Sequence, residues 1–276
     1  MSNSVLTNHS AAIALQNLTT TNSKLTDVQG RISTGLKVQG AKDNAAVWAI
    51  AQQQRADVGA LSAVKASLDR ATSISDVAMA AGESISDLLN ELKEKIVAAK
   101  DESIKTQSRE LLNGDFKALL RSIKSAYENA TFDGGNVLDG SLTNGLKFLA
   151  NADGSSFITL STKNLTLSGS ILSLGMADSL LTLTGAGNAL TKLDTSIGKL
   201  NAAMGELGAQ ARQIQAHNTF VTKLTDTLEA GIGNLVDADL AKESARLQAL
   251  QVQQQLGAQS LSIANQSPQI ILSLFQ

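Results

Sequence analysis

One stretch of this chain constrains its fold more than any other. Across residues 190–235 the apolar positions are Leu190, Leu193, Ile197, Leu200, Met204, Leu207, Ala211, Ile214, Val221, Leu228, Ile232 and Leu235, stepping by three and four, with polar Asn218 and Thr225 filling the register. A period of 3.5 residues kept over about six heptads is a coiled-coil seam. At 1.5 Å per residue such a helix reaches roughly 70 Å, longer than a compact domain of this mass is wide. It therefore needs apolar partners along its whole length.

The first half of the chain supplies them. Ile74, Val77, Ala81, Ile85, Leu88, Leu92 and Ile96 advance by threes and fours, and so do Leu112, Phe116, Leu119, Ile123, Ala126 and Ala130. Lys100-Asp101-Glu102 forms a polar joint between these two runs, and Val58, Leu61, Val64 and Leu68 carry the first of them back toward Ala45. The single proline leaves these stretches free to stay helical. Aromatics make up only 3% of the chain, so Leu, Ala, Ile and Val must fill the interior, which favours thin helix-on-helix layers. The predicted fold is mainly α: an elongated antiparallel helical bundle or coiled coil over residues 45–235, with a small tip that contains a β-hairpin.

The tip is residues 131–189, rich in Gly, Asn, Ser and Thr. Residues 147–150 and 157–162 flank Asn151-Ala152-Asp153-Gly154 and predict the hairpin, and Asp133-Gly134-Gly135-Asn136 predicts a further turn. The chain ends, residues 1–44 together with 236–276, predict a separate terminal helical domain. Ala11, Leu15, Leu18, Leu25 and Ile32 form one stripe, with Asn22 and Gln29 in its register. Near the other end, Leu240, Leu247 and Leu261 mark one stripe and Ala245, Ala249, Val252, Leu256 and Ile263 a second. Two stripes on one helix require two neighbours, and a lone helical hairpin supplies one. The second neighbour is then another copy of the chain.

Chemistry is sparsely represented. A net charge of −2 gives no basic footprint for nucleic acid, and the absence of cysteine removes thiolate sites and disulfides. No cofactor or metal site is expected: His9 and His217 are the only histidines and lie far apart in sequence. Ser62–Lys65 and Ser196–Lys199 match a Ser-x-x-Lys spacing that chance alone supplies in a chain this rich in both residues. Gly185-Ala186-Gly187 lacks the third glycine of a dinucleotide fingerprint and reads as a helix-start loop. No apolar run nears the ~18 residues that span a bilayer, and residues 1–20 lack the Lys or Arg and the apolar core of a cleaved secretory signal. Composition alone would place the chain in the cytoplasm.

Several motifs change that placement. Arg31-Ile32-Ser33-Thr34-Gly35-Leu36-Lys37-Val38 leads into Ala41-Lys42-Asp43-Asn44-Ala45-Ala46. Asp237-Ala238-Asp239-Leu240-Ala241-Lys242-Glu243 continues through Leu250-Gln251-Val252-Gln253-Gln254-Gln255 to Ala264-Asn265-Gln266-Ser267-Pro268-Gln269 and Leu272-Ser273-Leu274-Phe275. Glu128-Asn129-Ala130-Thr131-Phe132-Asp133-Gly134 stands with Leu138-Asp139-Gly140. In this order the motifs resemble bacterial flagellin, over about residues 1–140 and 185–276. Trp48, where small residues are common, and the terminal Gln276 depart from the family pattern. Trp48 fits either the end of the bundle or a neighbouring subunit's surface.

The resemblance implies a short flagellin with terminal and inner core domains and little or no outer domain. It implies an exported structural subunit, carried by the flagellar type III apparatus, that polymerises into the extracellular filament for motility and catalyses nothing. Implied partners are further copies of the chain, alone or mixed with related flagellins, and an export chaperone, cap and hook-junction proteins. Neither nucleic acid nor membrane is among them. Implied interface residues are Leu15, Leu18, Leu25, Ile32, Leu240, Leu247, Val252, Leu256, Leu261 and Ile263, and implied domain-joint residues are Ser33, Gly35, Asp43, Asn44, Asp237 and Asp239. Glu91, Lys93, Glu94 and Lys95 lie in a stretch that resembles the Arg-rich one through which animal Toll-like receptors recognise flagellins. Lys93 and Glu94 keep its basic-acidic pair, while Glu91 stands where a basic residue facing an acidic partner is common and Lys95 where an apolar one is usual. The competing reading is a hook-filament junction protein, or another helical binding or adhesion module with similar ends. The doubled stripe near the C-terminus favours the filament.

Overall fold

A computed structural model describes residues 7–273, with side chains to residue 266. Motif residues Leu274 and Phe275 lie outside the described residues, as do the side chains of the Ser267-Pro268-Gln269 and Leu272-Ser273 motifs. The described residues hold five helices, α1 (His9–Thr34), α2 (Ala45–Ala99), α3 (Thr106–Glu128), α4 (Leu183–Val236) and α5 (Leu240–Ser273). A single antiparallel pair, β1 (Leu146–Leu149) with β2 (Phe157–Leu160), is the only sheet among them. With 71% of residues helical, the fold is mainly α, as the periodicity predicts. The chain divides into two compact units. Met1–Ala56 with Thr227–Gln276 make the terminal unit, and Asp57–Asp226 the central one. Both boundaries fall inside helices, α2 and α4.

In the central unit the buried row of α2 is Leu61, Val64, Leu68, Ala71, Ile74, Ala78, Ile85, Leu89, Leu92 and Ile96. That of α4 is Ala186, Ala189, Leu193, Ser196, Leu200, Ala203, Leu207, Ala211, Ile214 and Val221. Both rows keep the three-four step, but some of the residues differ from those the sequence suggests. Ala189, Ser196 and Ala203 are buried where Leu190, Ile197 and Met204 were expected, and these larger neighbours are half-buried. In α2, Leu89 is buried beside a half-buried Leu88, and in α3 Leu120 and Tyr127 replace Leu119 and Ala126.

The reason is that α4 has neighbours on two sides. Asn218 donates to Asp69 of α2 (2.6 Å) and Lys93 of α2 pairs with Asp194 (2.9 Å). On another side the segment after the hairpin is tied on: Ser161 N–H donates to Gln210 (2.8 Å), Ser173 N–H to Ser196 Oγ (2.9 Å), and Lys199 to the Ser170 carbonyl (2.9 Å). A helix wedged between two neighbours keeps small residues at the centre of its buried face and flanks them with larger ones. Gly82 of α2 shows the fit, since a Cβ there would fall 2.2 Å from Met204 Sδ.

The tip follows the predicted turns. Phe132 and Gly135 bridge across Asp133 (φ 49°) and Gly134 (φ 74°). Two consecutive positive φ values are what a type I′ turn demands and an Asp-Gly pair supplies. Asn136 is buried and fully used: its amide donates to the Tyr127 carbonyl (2.8 Å), and its Oδ1 accepts from Leu138 N–H (2.8 Å). The hairpin pairs Leu146 with Leu160 and Leu149 with Phe157, turning Phe148 and Leu160 into the core. At the α2–α3 joint, Ser103 N–H donates to Asp101 (2.8 Å), and this bond holds the Asp101 carboxyl below the usual carboxylate range.

Candidate functional site

The terminal unit is an antiparallel pair of helices with a short tied joint. The α1 face toward α5 carries Ala11, Ala14, Leu18, Thr21, Leu25, Val28 and Ile32, of which Thr21 and Val28 are buried. The α5 face carries Glu243, Leu247, Leu250, Gln254, Gly257, Leu261 and Ala264, of which Glu243 and Leu250 are buried. Each row advances by threes and fours, so each helix offers the other a heptad seam. The register expected for α1 is right for Ala11, Leu18, Leu25 and Ile32 and one residue off at Leu15, Asn22 and Gln29. Asn22 and Gln29 are exposed, and Leu15 is 54% exposed, because the helix is turned toward Thr21 and Val28. Thr19, Thr20 and Thr21 each donate their hydroxyl to the carbonyl four residues earlier at 2.9 Å. That bond satisfies the one hydroxyl buried in the seam.

Of the two apolar stripes of α5, only one meets α1. Leu247 and Leu261 are half-buried on it, while Leu240 stands 50% exposed at the first residue of the helix. The other stripe lies off the seam, with Val252, Leu256 and Ile263 exposed by 56%, 57% and 63% and Ala245 and Ala249 exposed beside them. A groove of about 560 Å³ between the two helices is lined by Ile13, Ala14 and Thr21 of α1 and by Leu256, Gly257 and Ala264 of α5, among others. Exposed apolar groups in a continuous row on a helix mark a docking face.

The joint is tied by backbone bonds. Gly35 ends α1 in the left-handed region (φ 72°) with its N–H on the Arg31 carbonyl (2.9 Å), a conformation glycine adopts without steric cost. Leu36 and Asp237 then bridge: Lys37 N–H donates to the Val236 carbonyl and Ala238 N–H to the Gly35 carbonyl, both at 2.8 Å. Asp43 Oδ2 accepts from Gln39 and Gly40 N–H (2.8 and 3.1 Å), Asn44 Oδ1 from Val47 N–H (3.1 Å), and Asp239 Oδ1 from Ala241 and Lys242 N–H (3.1 and 3.2 Å). Asn44 and Asp239 thus cap α2 and α5. Ser33 is exposed, and Trp48 is half-buried within the same unit.

Residues that superficially suggested chemistry are structural. Ser196 is fully buried, donating to the Lys192 carbonyl (2.7 Å) and accepting from Ser173 N–H, so its hydroxyl is committed. His217 Nε2 lies 2.7 Å from the Ala150 carbonyl, pinning α4 to the end of the hairpin. No cluster of metal-ligating side chains occurs among the described residues.

Residues 5–143 match the bacterial flagellin N-terminal helical region, and residues 190–275 match the bacterial flagellin C-terminal helical region. The chain belongs to the flagellin family. Flagellin FljJ of Caulobacter vibrioides is 52% identical, over 100% of this chain and 99% of its own length. A flagellin of Brucella melitensis is 43% identical, over 99% of each. This flagellin therefore shares the short form of those relatives. Among solved structures, a Vibrio parahaemolyticus protein described as flagellar hook-associated has a TM-score of 0.58 over 71% of this chain and 100% of its own. At 13% identity that likeness shows the fold alone and does not favour a junction role. As a flagellin the protein is a structural subunit of the extracellular flagellar filament and not an enzyme. Among the described residues no helix is long and apolar enough to cross a membrane.

Proposed function

We propose that this flagellin polymerises through its terminal unit, with the exposed stripe of α5 packing on neighbouring copies. The observation that carries this reading is the doubled stripe: Leu247 and Leu261 face α1, while Val252, Leu256 and Ile263 stand uncovered on the same helix. Burying three large aliphatic side chains stabilises a contact by about 1.5–3 kcal/mol each. Repeated in every subunit, such a contact gives an open helical polymer when its rotation does not close. Leu15, Leu240 and the groove beside Ile13 extend the proposed contact surface. In this reading residues 1–44 with 236–276 form the filament core, and residues 45–235 with the tip form the inner domain. The joint around Ser33, Gly35, Asp43, Asn44, Asp237 and Asp239 links them. An export chaperone, the filament cap and hook-junction proteins are the further partners. Purified protein should pellet in a concentration-dependent way and show filaments by electron microscopy. A protein that stays monomeric at all accessible concentrations would favour the binding-module alternative and end this reading.

A second proposal concerns the stretch Glu91, Lys93, Glu94 and Lys95. Glu91 and Glu94 are exposed, whereas Lys93 pairs with Asp194 at 2.9 Å and Lys95 with Asp115 at 3.6 Å. The two cations already face carboxylates of their own chain, and lysine lacks the bidentate fork of arginine. An acidic receptor surface would meet Glu91 as a like charge, a juxtaposition that costs several kcal/mol at an interface. Weak or absent activation of the animal Toll-like receptor is therefore expected. A reporter assay of wild type against Glu91→Arg, Lys93→Arg and the double variant checks it, and strong activation by the unmodified protein would overturn it.

A further inference from the structure

The seam between α1 and α5 is poor in large apolar side chains. Ala11, Ala14 and Thr21 occupy it on α1, and Gln254, Gly257 and Ala264 on α5. A slide of one heptad would bring residues of the same class back into contact, so apolar packing alone specifies the register weakly. Three polar contacts run along the pair in step. Asn8, which caps α1 through Ala11 N–H (3.0 Å), donates its amide to the Ala264 carbonyl (2.7 Å). Gln254 donates to Asn22 (2.8 Å). At the joint end Arg31 pairs with Glu243 at 3.5 Å. As the α1 position rises from 8 to 31 its α5 partner falls from 264 to 243, the course of one antiparallel register.

The ion pair is the strongest of the three constraints. Glu243 is only 8% exposed, and its Oε2 is buried with no hydrogen-bond partner, so Arg31 is the cation that compensates it. A slide of one heptad would carry that buried carboxylate either to Val38, past the end of α1, or to the exposed Lys24, so its pairing with Arg31 belongs to the observed register alone. Arg31 lies in the last turn of α1 and Glu243 in the first turn of α5, where each charge also suits its helix dipole. Polar side chains in a coiled-coil seam are known to specify register. We propose that Arg31 and Glu243, supported by Asn8 and Asn22, are the positioning residues that set the register of the two chain ends. The α5 face presented to a neighbouring copy is thereby fixed in place.

The geometry provides its own reporter. A Cβ built on Gly257 lies 3.9 Å from the Leu18 Cβ, the separation that a disulfide spans, and the chain holds no cysteine. Full-length Leu18→Cys/Gly257→Cys protein should oxidise within one chain, read as a monomer of altered mobility on a non-reducing gel. Leu18→Cys/Leu250→Cys, one heptad off, should not. Adding Arg31→Glu should reduce the first disulfide at least about ten-fold and raise the second, and a further Glu243→Arg should restore the first. Four results would overturn the proposal: absence of the first disulfide in the parent, its persistence in Arg31→Glu, loss of both disulfides together, or failure of the charge swap to restore it. Loss of both would assign the pair a stabilising role without control of register. Assembly is scored separately by sedimentation, so a failure to polymerise leaves the disulfide reading intact.

Discussion

Deleting residues 240–276 is expected to abolish polymerisation and to leave the central unit folded. The deletion removes α5 whole, and with it both the cover of the α1 seam and the exposed stripe. Without its partner, α1 keeps a face of alanine, threonine and a few aliphatics that cannot offset the cost of ordering an isolated helix. The central unit, Asp57–Asp226, draws its core from α2, α3, α4 and the tip, including Leu68, Phe116, Phe148 and Leu200, and the deleted stretch lies wholly outside it in sequence. Circular dichroism should therefore show strong helicity with a cooperative melt, while sedimentation shows no polymer. Filaments from the truncated protein would refute the assembly role of α5. Loss of most helicity would refute the independence of the central unit.

Leu247→Ala and Leu256→Ala should both weaken filaments, by different routes. Leu247 is half-buried against α1, so its truncation loosens the intrachain pair and the filament with it. Leu256 is 57% exposed in the single chain, so its truncation should leave the monomer's melting unchanged and act only on assembly. A leucine buried in a packed contact costs about 2–5 kcal/mol when cut to alanine. At 1.4 kcal/mol per factor of ten, the critical concentration for polymerisation should rise by well over an order of magnitude for Leu256→Ala. An unchanged critical concentration would remove the outer stripe from the contact surface. A lowered monomer melting temperature for Leu256→Ala would show that this side chain serves the intrachain pair.

The sequence by itself determined a good deal of this protein. The three-four step of apolar residues marked every helix, because a helix that buries one face must repeat at its own period. The turn chemistry of Asp133-Gly134-Gly135-Asn136 and Asn151-Ala152-Asp153-Gly154 marked where the tip turns, since only a few residue types meet those local needs. Gly35, Asn44 and Asp239, by contrast, entered through the family motifs and owe their turn and capping roles to the structure. The motifs at the two ends identified the family. Tertiary structure alone decided the rotation of each helix about its axis. Periodicity states how often a face recurs, while the neighbours state which face it is. That is why Ala189, Ser196 and Ala203, not Leu190, Ile197 and Met204, lie at the centre of α4, wedged between α2 and the segment after the hairpin. It is also why Thr21 and Val28 are buried where Asn22 and Gln29 shared the expected register. A charged residue such as Glu243 gives no sign of burial in a linear sequence. Its place in the seam follows from Arg31, more than two hundred residues away, and only folding brings the two together.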